Sequence, residues 1–172
     1  MVRLLAAPAA LYDHHAGWLL GRRFLRLTHV GRITGRRHQT MLEVIGERPA
    51  RHEVMVMAGL GRGAQWYLNL RRDGAVEVAI GRERFAPAAR ELAPEEAAGV
   101  LAGYEARHRW AAPVVRRVLS RLVGWRYEGT TEARSRLVAE LPIIALRPRG
   151  RRAGRHSFTT ESAPGIEVGP DR

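Results

Sequence analysis

The sequence predicts an α+β fold built mainly on antiparallel strands. Short alternating runs recur between Phe24 and Glu91, separated by glycine or proline. One short helical stretch interrupts them, and helical patterns then lead to a last apolar strand. At 172 residues the chain reads as one domain with tails. That length hides roughly 70% of the unfolded surface without covalent staples.

The elements follow in order. Residues 1–23 read as an N-terminal helical segment, with Leu11, Trp18, Leu19 and Leu20 apolar and Arg22, Arg23 and Arg26 following. Pro8 and Asp13-His14-His15 break the apolar stretch, which excludes a signal peptide. A strand from Phe24 to Val30 leads into a turn marked by Gly31 and Gly35, with Arg32, Arg36, Arg37 and His38 in and after it. A second strand covers Gln39 to Ile45, and Glu47 to Arg51 is a turn. His52 to Ala58 is apolar on both faces at its centre, as in a buried strand. Gly59-Leu60-Gly61-Arg62-Gly63 follows, where three glycines permit a close backbone approach.

Ala64 to Arg72 spaces Trp66, Tyr67 and Leu70 for a short helix facing inward. Ala75–Ile80 and Glu83–Glu91 read as two more strands, with Pro87 marking an edge or bulge in the second. Pro94 opens a helix to about His108, with Glu95 and Glu96 in its first turn. Pro113–Val123 is another helix, whose apolar stripe is Val114, Val118, Leu119 and Leu122. A short helical stretch, Glu132–Glu140, precedes a closing strand at Leu141–Arg147. Residues 149–172 read as a disordered basic tail.

Composition excludes several chemistries. There is no Cys, so disulfides, thiolate metal sites and cysteine nucleophiles are absent. All 29 basic residues are Arg, which removes a Schiff-base or Walker-type lysine. The net charge of +12 draws anionic partners: a phosphorylated cofactor, acidic lipid head groups or nucleic acid. Arg-, Ala- and Gly-rich composition without Lys matches a high-GC bacterial genome, which weakens the inference to nucleic acid, and no nucleic-acid motif is present. The seven histidines do not share a metal-ligand spacing, so no metal site is expected. No Gly-x-Ser-x-Gly elbow occurs.

The strongest chemical feature is the pair of glycine loops. The first carries guanidinium groups and turn N–H groups suited to an anion. The second precedes the Trp66-Tyr67-Leu68-Asn69 helix start, where N–H groups lack partners. Two strands, two such loops and an aromatic helix suit a flat, phosphate-bearing cofactor.

At these motifs, THVGRITGRRHQTMLEVI and MAGLGRGAQWYLNLRRDGAVEVAIGRERF, the chain resembles the deazaflavin (F420)-dependent nitroreductase and quinone reductase family. The resemblance runs from about Phe24 to Arg147. It implies a split β-barrel of the FMN-binding type with flanking helices over residues 24–148, and coenzyme F420 as cofactor. It also implies an oxidoreductase that passes a hydride from reduced deazaflavin to an electron-poor acceptor, a quinone or nitro compound. By the same resemblance, Arg32, Thr34, Arg37 and the run His38, Gln39, Thr40, Met41 and Leu42 would line the cofactor's phosphate and tail. Ala58, Gly59, Leu60 and Gly61 would pass its ring, and Trp66, Tyr67 and Asn69 would complete the pocket. Where the family usually has Gly-Arg-Lys-Ser-Gly, Ile33 takes the lysine's place here, and His38 stands where an Arg is common.

Should a proton donor be needed, Tyr12, Glu43, Tyr104 and Tyr127 are the candidates. The residues leave alternatives open: an FMN, other flavin or haem binder on this fold, or a non-catalytic basic module for nucleic acid or an acidic membrane surface. The expected setting is cytoplasmic, with peripheral membrane contact and homodimerisation as further expectations.

Overall fold

The computed structural model describes residues 22–149. Apart from Arg22, Arg23 and Arg149, the expected N-terminal helical segment, its Tyr12 and the basic tail lie outside these residues. The described chain forms seven strands and four helices. The strands are β1 (Phe24–Val30), β2 (Arg37–Arg48), β3 (Glu53–Met57), β4 (Ala75–Ile80), β5 (Glu83–Phe85), β6 (Pro87–Glu91) and β7 (Ile143–Pro148). The helices are α1 (Gln65–Asp73), α2 (Pro94–Arg107), α3 (Ala112–Val123) and α4 (Thr131–Glu140).

The strands make one antiparallel sheet in the order β5-β4-β1-β2-β3-β7-β6. β5 and β6 are consecutive in the chain yet occupy opposite ends of that order, so the sheet curls almost closed: a split barrel. This corrects the single strand expected over Glu83–Glu91. Proline cannot donate to a ladder, and at Pro87 the chain leaves one edge and joins the other, where Pro87 pairs with Pro148.

β2 belongs to both halves of the barrel. Arg37–Glu43 pair with β1, whereas Val44–Arg48 pair with β3. The register slips between Val44 and Gly46, a bulge that bends the strand from one half-sheet to the other. Gly46 suits the bend because a Cβ there would lie 3.0 Å from Val100 Cγ1 and 3.2 Å from Met55 Cε. β2 therefore runs on to Arg48, and the expected turn shrinks to a 3-10 turn at Pro49–Arg51. His52 follows it with φ of 49°, so β3 begins one residue later than the pattern suggests.

The strand patterns explain two core layers. Side chains alternate across a strand. Val54 and Val56 of β3, with Ile144 and Leu146 of β7, face the barrel interior beside Leu25, Leu27, Val78 and Ile80. Met55, Ile143 and Ala145 face the other way, into a second core with Leu101, Leu119, Leu137 and Val138 of the helices. Both faces of β3 and β7 are thus buried, as their unbroken apolar runs require. α1 covers one end of the interior with Trp66, Tyr67 and Leu70.

The helices start and stop where local chemistry dictates. Pro94 stands in the first turn of α2, the Thr130 hydroxyl caps α4 by accepting from Ala133 N at 3.2 Å, and Gly124 ends α3 at φ of 76°. The stripe expected on α3 is a correction. Leu119 is buried, but Val114, Val118 and Leu122 are 64%, 52% and 42% exposed. The core-facing line is Val115–Leu119–Val123, one residue displaced from the expected stripe. α3 carries two adjacent apolar lines, and periodicity alone does not say which one meets the sheet.

One buried charge cluster clamps the start of β3 to β6 and α2. Glu53 is buried and accepts from Arg90 at 3.1 and 3.2 Å. Glu96 accepts from Arg90 at 2.8 and 2.9 Å and from Arg48. Hydrogen bonds from Arg90, then Arg48, hold the Glu96 carboxyl at about 2 rather than its ordinary 4.5, and Arg90 likewise lowers Glu53. Both folded values are depressed, so their stabilisation is present above the unfolded value and is lost as pH falls through the folded one. Denaturant midpoints are expected to fall between pH 4.5 and about 2, and Glu96→Gln flattens that slope. Arg90→Met at neutral pH is expected to cost about 2 kcal/mol in the same measurement, less than a fully buried pair because Arg90 is itself solvated.

Candidate functional site

The β1–β2 turn builds the first half of the site. Gly31 N donates to Arg36 O at 2.8 Å and Gly35 N to Gly31 O at 2.8 Å, with Gly35 at φ of 67°. His29 and His38 face each other across the strand pair, their rings stacked 5.8 Å apart. The His38 ring also lies over Gly31, where a Cβ would come within 2.8 Å of its Nε2. His38 thus occupies the space that keeps Gly31 a glycine. Ile33, 84% exposed, stands at the tip of the turn.

Beneath the turn runs a polar network that few barrel interiors would tolerate. His29 and Asn69 are 3% and 4% exposed. Asn69 Oδ1 accepts from Arg32 N and from Arg32 Nη1, each at 3.1 Å. Its amide nitrogen therefore faces His29 Nδ1, at 3.1 Å, and must donate to it. The proton of the neutral His29 ring is then on Nε2, which meets Thr40 Oγ1 at 3.3 Å. Arg32 Nη1 also donates to Gln65 Oε1 at 2.7 Å, and Arg72 Nη1 donates to Arg32 O at 2.9 Å. Burial, and then the neighbouring His38, push the His29 ring below its ordinary value. Every partner in this chain suits the neutral imidazole.

The second half of the site lies across the split. The β2–β3 ladder stops at the Val44–Val56 pair, so no described strand lies along the outer edge of Arg37–Glu43. Val44 N donates to Arg23 O, on the β1 side, at 2.8 Å. Main-chain groups of the same parity follow it, so those of Gln39 and Met41 point away from β1 into the split. Opposite, the chain leaves β3 through Ala58–Gly61, where Gly61 N donates to Ala58 O at 2.8 Å and Gly61 has φ of 67°. Leu60 is exposed, and Leu122 Cδ1 of α3 would lie 3.6 Å from a Cβ on Gly59. The exposed line Val114, Val118 and Leu122 therefore ends against this loop.

The expected site residues divide by placement. Arg32, Thr34, Arg37, His38 and Gln39 gather on the first turn, and Gly59, Leu60 and Gly61 form the loop across the split. Leu42, Ala58, Trp66 and Tyr67 lie in the interior core. Tyr67 OH is committed to Glu91 Oε2 at 2.7 Å, with Arg62 donating to both, so this ring holds the second loop against β6. Met41 and Thr40 are half-buried between these groups. His29, Gln65 and Arg72 were not expected. The signal for His29 lay in the alternation, since it continues the inward face of Leu25 and Leu27.

The proton-donor candidates lie elsewhere. Tyr104 OH donates to Glu43 Oε1 at 3.0 Å, and burial followed by Glu43 raises it to about 12. Tyr127 OH donates to Glu105 Oε1 at 2.8 Å, and Arg134 Nε donates to Glu105 Oε2 at 2.6 Å. Burial, then the Glu105 bond, raises Tyr127 further still. Tyr104 thus joins α2 to β2, whereas Tyr127 ties the loop after α3 to α2. Two cavities, of about 510 and 220 Å³, lie on this helical side among residues of α2, α3 and the loop after α3, and no expected cofactor residue lines either.

The described residues thus form a split barrel with a cationic turn after β1 and a glycine loop after β3. Residues 9–112 match the description of the F420H(2)-dependent quinone reductase family. The chain belongs to that family and is an F420-dependent oxidoreductase. Among solved structures it is similar to an F420-H2 dependent reductase, at 19% identity over 74% of this chain and 96% of that one, with a TM-score of 0.41. It is also similar to a protein of unknown function from Agrobacterium tumefaciens, at 15% identity over 77% and 51% of the two chains, TM-score 0.48. A third is a Clostridium acetobutylicum protein of the pyridoxinephosphate oxidase family, at 4% identity over 81% and 84%, TM-score 0.41. No curated protein matches the sequence. Among the described residues no helix is long and apolar enough to cross a membrane.

Because its hydroxyl is committed to Glu105, Tyr127→Phe is expected to leave kcat for F420H2 oxidation within about twofold while lowering stability by about 1–2 kcal/mol, the cost of leaving a buried acceptor short of a donor. Steady-state rates beside denaturant melts measure both.

Proposed function

We propose that the protein holds reduced F420 across the split, with its anionic tail on the Arg32–His38 turn and its ring along Ala58–Gly61, and passes a hydride to a quinone. The single observation that carries this reading is the unladdered edge of β2. It leaves main-chain groups of Gln39 and Met41 facing the glycine loop, between a cationic turn and an apolar helix line. The residues suit the cofactor at both ends. Arg32, anchored by Asn69 and Gln65, presents a fixed guanidinium to an anion. Gly59 adds no side chain beside Leu122, and Gly61 supplies the positive φ of the turn close against Glu140 O.

When bound, the deazaflavin supplies the hydride; the chain supplies orientation and a dry contact. Most of the protein's contribution is then to hold donor and acceptor carbons about 3–3.5 Å apart. The acceptor side is the apolar line of α3. Leu60, Leu122 and Val118 offer a quinone ring and its hydrophobic substituent a surface beside the Gly59 loop. The reduced quinone needs one proton besides the hydride, and solvent reaches this open edge directly.

Titration of oxidised F420 by fluorescence tests the cofactor half. Arg32→Ala is expected to weaken binding at least about tenfold, as for a lost charge-assisted contact; unchanged affinity overturns the assignment of the turn. Leu122→Glu is expected to raise the KM for a hydrophobic quinone several-fold and leave the F420 affinity unchanged. Equal quinone kinetics in the two proteins overturn the acceptor side.

A further inference from the structure

We propose that His29 is a positioning residue for the cofactor site: its neutral ring fixes the Asn69 amide, which in turn holds Arg32 in the orientation that meets the cofactor's anionic tail. The proposal rests on the assignment of the tail to the Arg32 turn. His29 itself is buried beneath the turn and touches no ligand space.

The chain of bonds has one direction. Arg32 donates twice to Asn69 Oδ1, so the amide must present Nδ2 to His29, and Nδ1 of the ring must accept. Thr40 receives the ring's other edge on β2. A ring that carries protons on both nitrogens sets N–H against N–H at the Asn69 contact. The amide must then rotate or withdraw, and rotation would turn its donors toward the Arg32 guanidinium. Protonation of one buried ring thereby unseats a guanidinium two residues beyond β1.

Most groups around the ring favour the neutral form, the Val30 main chain being the exception. His38 stacks on it from β2, Asn69 reaches it from α1, Arg32 stands one bond further on, and Arg72, bonded to Arg32 O, one beyond that. On β4, Ala75 pairs with His29, and the next charged residue, Glu77, is engaged with Arg26 and Arg84. No carboxylate among the described residues is bonded to the ring, and the Val30 main chain, which favours the charged form, offsets only part of the cost of burying that charge. This agrees with the downward shift from burial and from His38. Because the folded value lies below the unfolded 6.5, the neutral arrangement is complete above 6.5 and is lost as pH falls through the folded value.

Two substitutions separate positioning from simple packing. In His29→Asn the short amide can place an oxygen near the Nδ1 position, keeping the acceptor for Asn69 but removing the titration. His29→Gln reaches toward Thr40 instead and loses the Asn69 bond. Titration of oxidised F420 by fluorescence between pH 5 and 8, roughly the span over which histidine charge changes, reads the outcome. At the alkaline end His29→Gln is expected to bind about tenfold more weakly, with kcat at saturating cofactor unchanged, since one bond supporting a charged donor is lost. His29→Asn is expected to bind within about twofold of the native chain and to lack the native loss of affinity on the acid side. Comparing the two proteins at each pH cancels titration of the cofactor's own groups.

Native affinity in His29→Gln, with Arg32→Ala weakened, overturns the proposal and leaves the tail assignment standing. Arg32→Ala without effect, or no binding by the native chain, overturns that assignment and the proposal together. Should His29→Gln not fold, the pH profiles decide alone: identical profiles for the native chain and His29→Asn overturn the positioning role.

Discussion

The structure depends on β2 serving two half-sheets at once. A strand of 12 residues cannot keep one register with both β1 and β3 while the sheet curls into a barrel. The bulge between Val44 and Gly46 resolves this by giving each half its own register. Beyond that point β2 and β3 part, and on the seam between them Arg37–Glu43 lie along no described strand. The bulge that closes the barrel therefore also leaves this edge of β2 without a described strand partner.

The polar network beneath the turn follows from the same geometry. β1 directs Leu25, Leu27 and His29 inward, so the third inward residue meets the end of the interior where α1 crosses. An apolar residue there would pack well but leave Asn69 without an acceptor and Arg32 with a less constrained partner. Each bond contributes only about 1 kcal/mol net, yet leaving one buried member unpaired costs more than the bond contributes. Such a network is therefore nearly all or none. It links the first turn to α1, the helix after the second glycine loop.

Much of this was legible in the residues. The β1 and β4 boundaries, the buried character of β3, and the α1 helix with Trp66, Tyr67 and Leu70 inward were read from alternation and spacing. The family resemblance added the barrel and the cofactor class. The misreadings have physical causes. Glu83–Glu91 alternates as one strand, and only the inability of Pro87 to donate marks the change of edge. On α3, Val114–Val118–Leu122 and Val115–Leu119–Val123 have equal spacing, and sheet contacts alone choose between them. Tyr104 and Tyr127 could be read only as proton-donor candidates, because their partners, Glu43 and Glu105, are fixed by tertiary packing. The role of His29 was hidden for the same reason: its partner stands 40 positions along the chain.

β7 sits between β3 and β6, two strands that precede it by many residues. During synthesis on the ribosome, both neighbours emerge with an unpaired edge and stay so until Pro148 has left the exit tunnel. Exposed edges of apolar strands invite pairing with other chains. The helices α2 to α4 are made during this interval, and they cover only the faces of the strands, not their edges. The last strand then acts as a closing stave, and Arg149 fastens it through hydrogen bonds to Ala86 O and Pro87 O at the corner between β5 and β6. Loss of that final strand would leave a five-stranded sheet with a bare β3 edge and β6 without its ladder, rather than a smaller barrel, so truncation before Ile143 is a route to aggregation.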